Sequence, residues 1–233
     1  MISVIIPTLN EGEYLENILR AIKDQTHQDL EIIVSDSHSD DNTQEIAKKY
    51  GAKLVLSERL GPAVGRNRGA EIAKGEILLF LDADTVPSKN VLETMDKIQN
   101  ERKDVVGGTC ALYPSRGSVL DWLIMALANA ALRLIMLGGT PQDTGCCSFY
   151  RRKVFEKVGG VREDLKLNEA HDLAIRTKPY GKFVYIKAPA FTSMRRYKKA
   201  GYMQTIMIYI KAAVSYLQKK EVPKEKFVFE PVR

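Results

Sequence analysis

Two carboxylates one residue apart, Asp82 and Asp84, follow directly on the apolar run Ile77-Leu78-Leu79-Phe80-Leu81. Such a run suits a strand buried on both faces of a mostly parallel sheet. Charged groups at its carboxyl end lie where open α/β sheets take their ligands. Alternation within the strand separates the two aspartates by two positions, so both can point the same way and share a hard divalent cation, Mg²⁺ or Mn²⁺. The plainer alternative is that Asp84-Thr85-Val86-Pro87-Ser88 opens the next helix. Asp36 ends a second apolar run, Leu30-Glu31-Ile32-Ile33-Val34, where it can accept from a base N–H or a ribose hydroxyl, or serve only as a turn residue. The stretch Gly61-Pro62-Ala63-Val64-Gly65-Arg66-Asn67-Arg68-Gly69-Ala70 reads as a glycine-rich loop entering a helix that continues to Ala73. Flexible amides and a guanidinium beside a helix N-terminus make an anion-binding corner.

Bringing these groups together requires strands joined by helices. Val4-Ile5-Ile6 reads as a first strand stopped by Pro7, and Thr8 to Glu13 as a loop. Tyr14 to Asp24 is a helix with Leu15, Ile18, Leu19 and Ile22 on one face. After the second strand, Ser39-Asp40-Asp41-Asn42 caps a helix reaching about Tyr50 and closed by Gly51, and Lys53-Leu54-Val55-Leu56 is a third strand. This βαβαβ order is that of a nucleotide-binding half-sheet. No GxGxxG follows the first strand and no GxxxxGK[ST] occurs, which disfavours a nicotinamide enzyme and a P-loop ATPase.

The 233 residues, 45% hydrophobic and 27% charged, allow one large α/β domain or a domain with a tail. The first residues enter Ile2-Ser3-Val4 without a basic n-region, so no signal peptide is expected. Cys110, Cys146 and Cys147 form neither a disulfide framework nor a zinc spacing and fit a reducing cytoplasm. The net charge of +6 is concentrated after residue 194, where ten basic residues face three acidic ones. The rest is near neutral, which argues against a nucleic-acid partner.

Taken in order, Pro7-Thr8-Leu9-Asn10-Glu11, Val34-Ser35-Asp36-Ser37 with Ser39-Asp40, Gly61-Pro62-Ala63 with Arg66-Asn67-Gly69, and Leu81-Asp82-Ala83-Asp84 resemble the family-two glycosyltransferases of GT-A fold. The resemblance continues through Thr144-Gly145, Arg151-Arg152-Lys153-Val154-Phe155 and Val158-Gly159-Gly160, covering roughly residues 1–200. It implies inverting transfer of a sugar from a nucleotide sugar with Mg²⁺ or Mn²⁺. By motif, Thr8, Glu11 and Asp36 would line the nucleoside pocket, with Arg66 near the base or diphosphate. Asp82 would lie near the ribose and metal, and Asp84 on the metal itself.

The acceptor half departs from that pattern. Family members commonly carry E-D-x-x-L-x-x-R, whose Asp deprotonates the acceptor hydroxyl. Here Glu169, Leu173 and Arg176 match, but Ala170 holds the base position. Glu169 and Asp172, three apart, can face together on a helix and either can substitute, or the group is a helix start with an Arg176 ion pair. His171 is an extra metal ligand, as in some GT-A enzymes, or a surface histidine. Ser193-Met194-Arg195-Arg196-Tyr197 resembles a Q-x-x-R-W motif of processive members without its Gln and Trp, which argues against a polymer synthase. Arg195 and Arg196 would clamp the diphosphate as a lid, or form a basic surface turn.

Two apolar helices remain. Ser118 to Leu137 has the length of a bilayer span, but Asp121, Asn129 and Arg133 argue against crossing. Tyr202 to Leu217 sets Gln204, Lys211, Ser215 and Gln218 against Ile206, Ile210, Ala213 and Leu217, an amphipathic pattern suited to a membrane interface, to packing on the sheet or to a homodimer contact. The expectation is therefore an α/β GT-A domain over residues 1–194, a Rossmann-like mostly parallel sheet flanked by helices. Residues 195–233 form a basic amphipathic appendage. The implied enzyme moves a sugar from a nucleotide-sugar donor to a lipid phosphate or lipid-linked glycan, peripherally at the cytoplasmic face of a membrane. Alternatives are a non-catalytic nucleotide-sugar or glycan-binding module and a sugar nucleotidyltransferase. The acidic Asn10-Glu11-Gly12-Glu13 fits the nucleotidyltransferase poorly.

Overall fold

The run around Phe80 forms β4 (Ile77–Leu81), all five residues buried. A computed structural model of the chain describes residues 1–58, 61–165 and 167–217, the last six as backbone only. The chain begins β1 (Ile2–Thr8), α1 (Gly12–Lys23), β2 (Leu30–Asp36), α2 (Thr43–Lys49), β3 (Lys53–Leu56) and α3 (Pro62–Ile72) before β4. It continues through β5 (Thr85–Pro87), α4 (Val91–Glu101), β6 (Val105–Pro114), α5 (Val119–Leu137) and β7 (Cys147–Arg151). Last come α6 (Arg152–Lys157), α7 (Glu169–Thr177), β8 (Lys182–Thr192), α8 (Arg195–Ala200) and α9 (Tyr202–Leu217).

These strands make one sheet in the order β3-β2-β1-β4-β7-β6-β8-β5. Strands β3, β2, β1 and β4 run parallel, β7 is antiparallel to β4 and β6, and β8 runs parallel to β6. The β4 register places Ile77 beside Ile2 on one side and beside Arg151 on the other. Leu15, Ile18, Leu19 and Ile22 of α1 join Val4, Ile6, Val34 and Leu79 in one core layer, while Ile5, Ile33, Leu78, Phe80 and Tyr150 form the other. That division is the period of two read through β1, β2 and β4.

Three local expectations are corrected. Pro7 does not stop the first strand: β1 runs to Thr8, and Pro7 lies past Ile5–Phe80, where pairing with β4 ends. The glycine-rich stretch is not a loop, because α3 begins at Pro62 and carries Gly65 and Gly69 inside it. A Cβ at Gly65 would meet Pro7 Cβ at 2.9 Å, and one at Gly69 would meet Ile5 Cγ2 at 2.3 Å, so these glycines let α3 lie close on β1. Strand β4 stops at Leu81, so Asp82 and Asp84 are not related by strand alternation. They sit in a turn closed by Thr85 N–H donating to Asp82 O at 3.0 Å. The chain then enters β5, paired with β8, and the next helix starts only at Val91 behind Asn90.

Helix α5 is turned opposite to the usual arrangement. Its buried residues are Asp121, Met125 and Asn129, a stripe at four-residue spacing. Asp121 closes a capping box with Ser118, and Asn129 donates to Leu112 O at 2.7 Å and accepts from Leu112 N–H at 3.1 Å. Leu112 lies beyond Thr109, the last β6 residue paired with β7, so Asn129 satisfies the backbone that β7 leaves open. The outward side is apolar, with Val119 87%, Leu127 62% and Leu137 83% exposed. Helix α9 likewise exposes Met203, Met207 and Ile210. Residues 218–233, with Gln218, Lys219 and Lys220, lie outside the described residues, as do the side chains of Ala213, Ser215 and Leu217.

Candidate active site

The carboxyl ends of β1, β2 and β4 open toward α7 and α8, and two polar groups lie there. The first is built on Asp36, the last residue of β2 and fully buried. Its Oδ1 accepts from Thr8 Oγ1 at 2.9 Å and Ser39 Oγ at 2.5 Å, and its Oδ2 accepts from Ser39 N–H at 2.9 Å and Gln44 Nε2 at 2.8 Å. Thr8 and Asp36 are thus brought together across the β1–β2 ladder, where they are register partners.

The second group is a chain of ion pairs. Arg66, buried on α3, donates through Nη2 to Asp82 Oδ1 at 2.9 Å and through Nη1 to Glu169 Oε1 at 2.9 Å. Nη2 also donates to Gly145 O at 2.9 Å. Burial works against the charge on Arg66, but Asp82 and Glu169 raise its pKa above the ordinary value. On the other side, Arg195 donates to Glu11 Oε1 at 2.6 Å, and its Nε lies 3.1 Å from Asp84 Oδ2. Its guanidinium stands 4.7 Å over the Tyr14 ring.

Burial, then the neighbouring charge of Asp82, pushes the Asp84 carboxyl up. Burial likewise pushes Glu11 up, against the pull of Arg195, and Asp84 and Asp82 add to it. Glu11 Oε2 is buried without a hydrogen bond. Carboxylate oxygens, one of them unsatisfied, are the hard donors that Mg²⁺ or Mn²⁺ takes. Among the described residues no three His, Cys, Asp or Glu side chains already stand in metal-holding array, neither Glu11, Asp82 and Asp84 nor a grouping of His171 with the aspartates. Burial holds the His171 ring below the ordinary histidine pKa, with Asp172 acting the other way.

Asp172 belongs to a separate cluster. It accepts from Arg176 Nε at 2.6 Å, while Arg176 Nη1 and Nη2 donate to Val158 O and Gly160 O at 2.6 and 2.7 Å. The pair therefore ties α7 to the turn carrying Gly159 and Gly160, at φ 78 and 70. Arg196 is exposed and donates to Tyr209 Oη of α9 at 3.0 Å, and its charge acts on Asp84.

Asp143 escapes a reading of the sequence. Its Oδ1 accepts from Gly145 N–H at 2.7 Å and its Oδ2 from Tyr150 Oη at 2.5 Å, and burial pushes its pKa up to about 6. It thereby fixes the turn whose Gly145 carbonyl, at φ 77, meets Arg66. Its one local signal is an Asp just ahead of the Thr144-Gly145 junction. Cys146 reads in the sequence only as a free thiol. Its carbonyl accepts from Asp82 N–H at 2.9 Å, and burial pushes the thiol up, which keeps it protonated beside the carboxylates.

The model of the family described as "Glycosyl transferase family 2" matches residues 3–159. The chain is 35% identical over 130 residues to glycosyltransferase AglE of Haloferax volcanii, which is 52% of this chain and 43% of that protein. It is 35% identical over 118 residues to the GalNAc(5)-diNAcBac-PP-undecaprenol beta-1,3-glucosyltransferase of Campylobacter jejuni, 48% of this chain and 38% of that one. The chain thus spans less than half the length of either relative. Among solved structures it resembles the mannosyltransferase PcManGT of Pyrobaculum calidifontis, bound to GDP-Man and Mn²⁺. The TM-score is 0.66 at 22% identity, over 90% of this chain and 64% of that one. At that identity the likeness is one of fold, and the fold is GT-A, as the motif resemblance implied.

Proposed function

The chain belongs to glycosyl transferase family 2, and from that premise we propose that it moves a sugar, with inversion, from a nucleoside-diphosphate sugar to the phosphate of a lipid acceptor at the cytoplasmic face of a membrane. The observation that carries this reading is the paired ion chain, Glu11–Arg195–Asp84 and Asp82–Arg66–Glu169, gathered at the carboxyl ends of β1 and β4. Thr8 and Asp36, with Ser39 and Gln44, form the polar floor for the nucleoside. Asp84 and Asp82 would hold Mg²⁺ or Mn²⁺, which supplies neutralisation of the diphosphate charge that grows as the glycosidic bond breaks. Arg66 holds Asp82 in place, and Arg195 and Arg196 border the space that the diphosphate would enter.

Inversion requires the acceptor to approach opposite the diphosphate, from the α7 side. Ala170 there offers no proton acceptor, and the two carboxylates nearby are already committed, Glu169 to Arg66 and Asp172 to Arg176. A sugar hydroxyl must lose a proton as it attacks. A phosphate oxygen is already an anion at neutral pH and needs no base. The apolar outer faces of α5 and α9 support a lipid acceptor, because Tyr209 of α9 bonds Arg196 beside the carboxylates. Helix α5 is long and apolar enough to cross a membrane. Its inward Asp121 and Asn129 favour lying in the interface instead. In this reading residues 1–194 are the catalytic domain, to whose site Arg195 and Arg196 of the following segment contribute, and α9 continues the membrane-facing surface. A lipid-linked glycan acceptor, with Asp172 or Glu169 as base, is the second reading, favoured by their position on the first turn of α7.

The test is a thermal-shift panel of UDP, GDP, CDP and dTDP sugars with and without Mn²⁺, followed by transfer of the stabilising donor's sugar to a polyprenyl phosphate. Stabilisation by one donor class only with metal, and a glycosylated lipid phosphate, are expected. Donor binding without transfer or hydrolysis would identify a binding module. Release of pyrophosphate from a nucleoside triphosphate and a sugar 1-phosphate would identify a nucleotidyltransferase.

A further inference from the structure

Arg195 stands where a cation is needed. It is held by three groups distant in sequence: Glu11 after β1 at 2.6 Å, Asp84 after β4 at 3.1 Å, and the Tyr14 ring of α1 at 4.7 Å. Glu11 and Asp84 both face this one guanidinium, and Asp82, two residues before Asp84, adds a third carboxylate whose Oδ1 is held by Arg66 at 2.9 Å. One guanidinium supplies one positive charge, and Glu11 Oε2 is left without a hydrogen bond. A divalent cation would supply two, but its ligand oxygens on Asp84 include one already facing Arg195.

The arginine is also mounted so that it can leave. It is the first residue of α8, a six-residue helix with no fully buried side chain, whose Tyr197 packs part-buried against the core. Behind it the chain steps off β8 at Thr192, and ahead it passes Gly201 at φ 86 before α9. Among the described residues no strand pairs with α8, so a movement of Arg195 leaves the sheet intact, with buried Met194 and the Ser193 N–H on Asp84 O at 3.2 Å as its fixed end.

We propose that Arg195 is an exchangeable counter-ion: in the nucleotide-free protein its guanidinium occupies the Glu11–Asp84 corner, and the metal–donor complex displaces it from Asp84 and receives it on the diphosphate. The proposal rests on the metal-assisted reading above and adds to it a competition between one side chain and the metal. Arg195 therefore suppresses metal binding in the absence of donor and favours it in its presence. Metal and nucleotide enter together, and neither is held tightly alone.

The experiment is a Mn²⁺ titration followed by electron paramagnetic resonance on the full chain, with Mn²⁺ alone and with Mn²⁺ plus UDP or GDP. Arg195→Gln is expected to bind Mn²⁺ alone at least about tenfold more tightly than the unmodified chain, while its affinity for the diphosphate with Mn²⁺ falls by about tenfold. Arg195→Lys, which keeps the charge without the fork, should lie between the two and serves if the glutamine variant fails to fold. Equal or weaker binding of Mn²⁺ alone by a variant with unchanged melting temperature overturns the exchange while leaving the metal site standing. Failure of the unmodified chain to bind Mn²⁺ even with UDP and GDP overturns the metal site and the exchange together.

Discussion

Helices α1 and α5 carry similar three-and-four spacing but face opposite ways. Helix α1 turns Leu15, Ile18, Leu19 and Ile22 onto the sheet and leaves Glu13, Asn17 and Arg20 to water. Helix α5 turns Asp121 and Asn129 inward and leaves Val119, Leu123, Leu127 and Leu134 outside. The first arrangement is that of a protein in water. The second leaves roughly 1.5–3 kcal/mol unrealised for each large apolar side chain kept exposed, so it is stable as built only because the inward polar groups are individually bonded. On the proposed reading the carboxylate corner serves the polar donor, and the apolar outer faces serve a lipid acceptor. Substitutions on the two sides should therefore fail in different ways.

The largest effect belongs to the donor side. Asp84→Asn is expected to remove Mn²⁺-dependent binding of the donor and to lower single-turnover transfer by about 10²-fold or more. Its melting temperature should stay within about 2 °C of the parent, since Asp84 is a buried carboxylate pushed up by its surroundings. Isothermal calorimetry with the donor identified by thermal shift reads the first outcome. Undiminished Mn²⁺-dependent binding would remove Asp84 from the metal's ligands and leave the donor side without the carboxylate that defines it here.

On the acceptor side, Asp172→Asn should act on stability more than on rate. It breaks a pair with Arg176 that is mostly buried, so a loss of about 3 kcal/mol in urea unfolding is expected. Transfer to a polyprenyl phosphate should fall by about tenfold or less in this variant and in Glu169→Gln. A loss of about 10²–10⁴-fold in either, with stability retained, would mark that carboxylate as a general base and replace the phosphate acceptor with a hydroxyl.

Those two sides are unequally legible in the sequence. Strands β2, β3 and β4 and helix α1 follow from runs and periodicities that depend on the residues themselves. The start of α3 reads wrongly as a loop because Gly65 and Gly69 resemble loop residues until Pro7 and Ile5 are seen lying against them, although the helix itself is expected to run on to Ala73. The turn at Asp82–Asp84 is hidden because alternation holds only while a strand lasts, and β4 stops where Asp82 N–H turns to Cys146 O. The orientation of α5 cannot be read from its own residues. Which stripe is buried depends on Leu112, whose open backbone groups lie in another element. The pairing of Asp82 and Glu169 through Arg66 joins α3 to the distant start of α7, and it has no local signature.

The smallest effect sharpens the comparison on the outer surface itself. If α5 and α9 lie on a bilayer, two forces hold them there. The apolar faces contribute a part insensitive to salt, and the basic residues of α8, with no acid among Arg195 to Ala200, contribute a part that salt screens. Lys198 and Lys199 are exposed at the end of α8. Changing both to Gln should weaken binding to liposomes containing anionic lipid by about 1 kcal/mol per charge, roughly thirtyfold together at low salt. Raising the salt to about 0.5 M should bring the parent down to the variant, since the screening length then falls to a few ångströms. Binding to neutral liposomes should be the same for both proteins and greater than zero, because the leucines of α5 are untouched. Flotation on a density gradient measures all of these. No binding to either kind of liposome, together with a dimer by sedimentation equilibrium, would assign the apolar faces to a second copy of the chain. The inverted helix would then be an interface between protomers, and the acceptor would have to reach Ala170 from water.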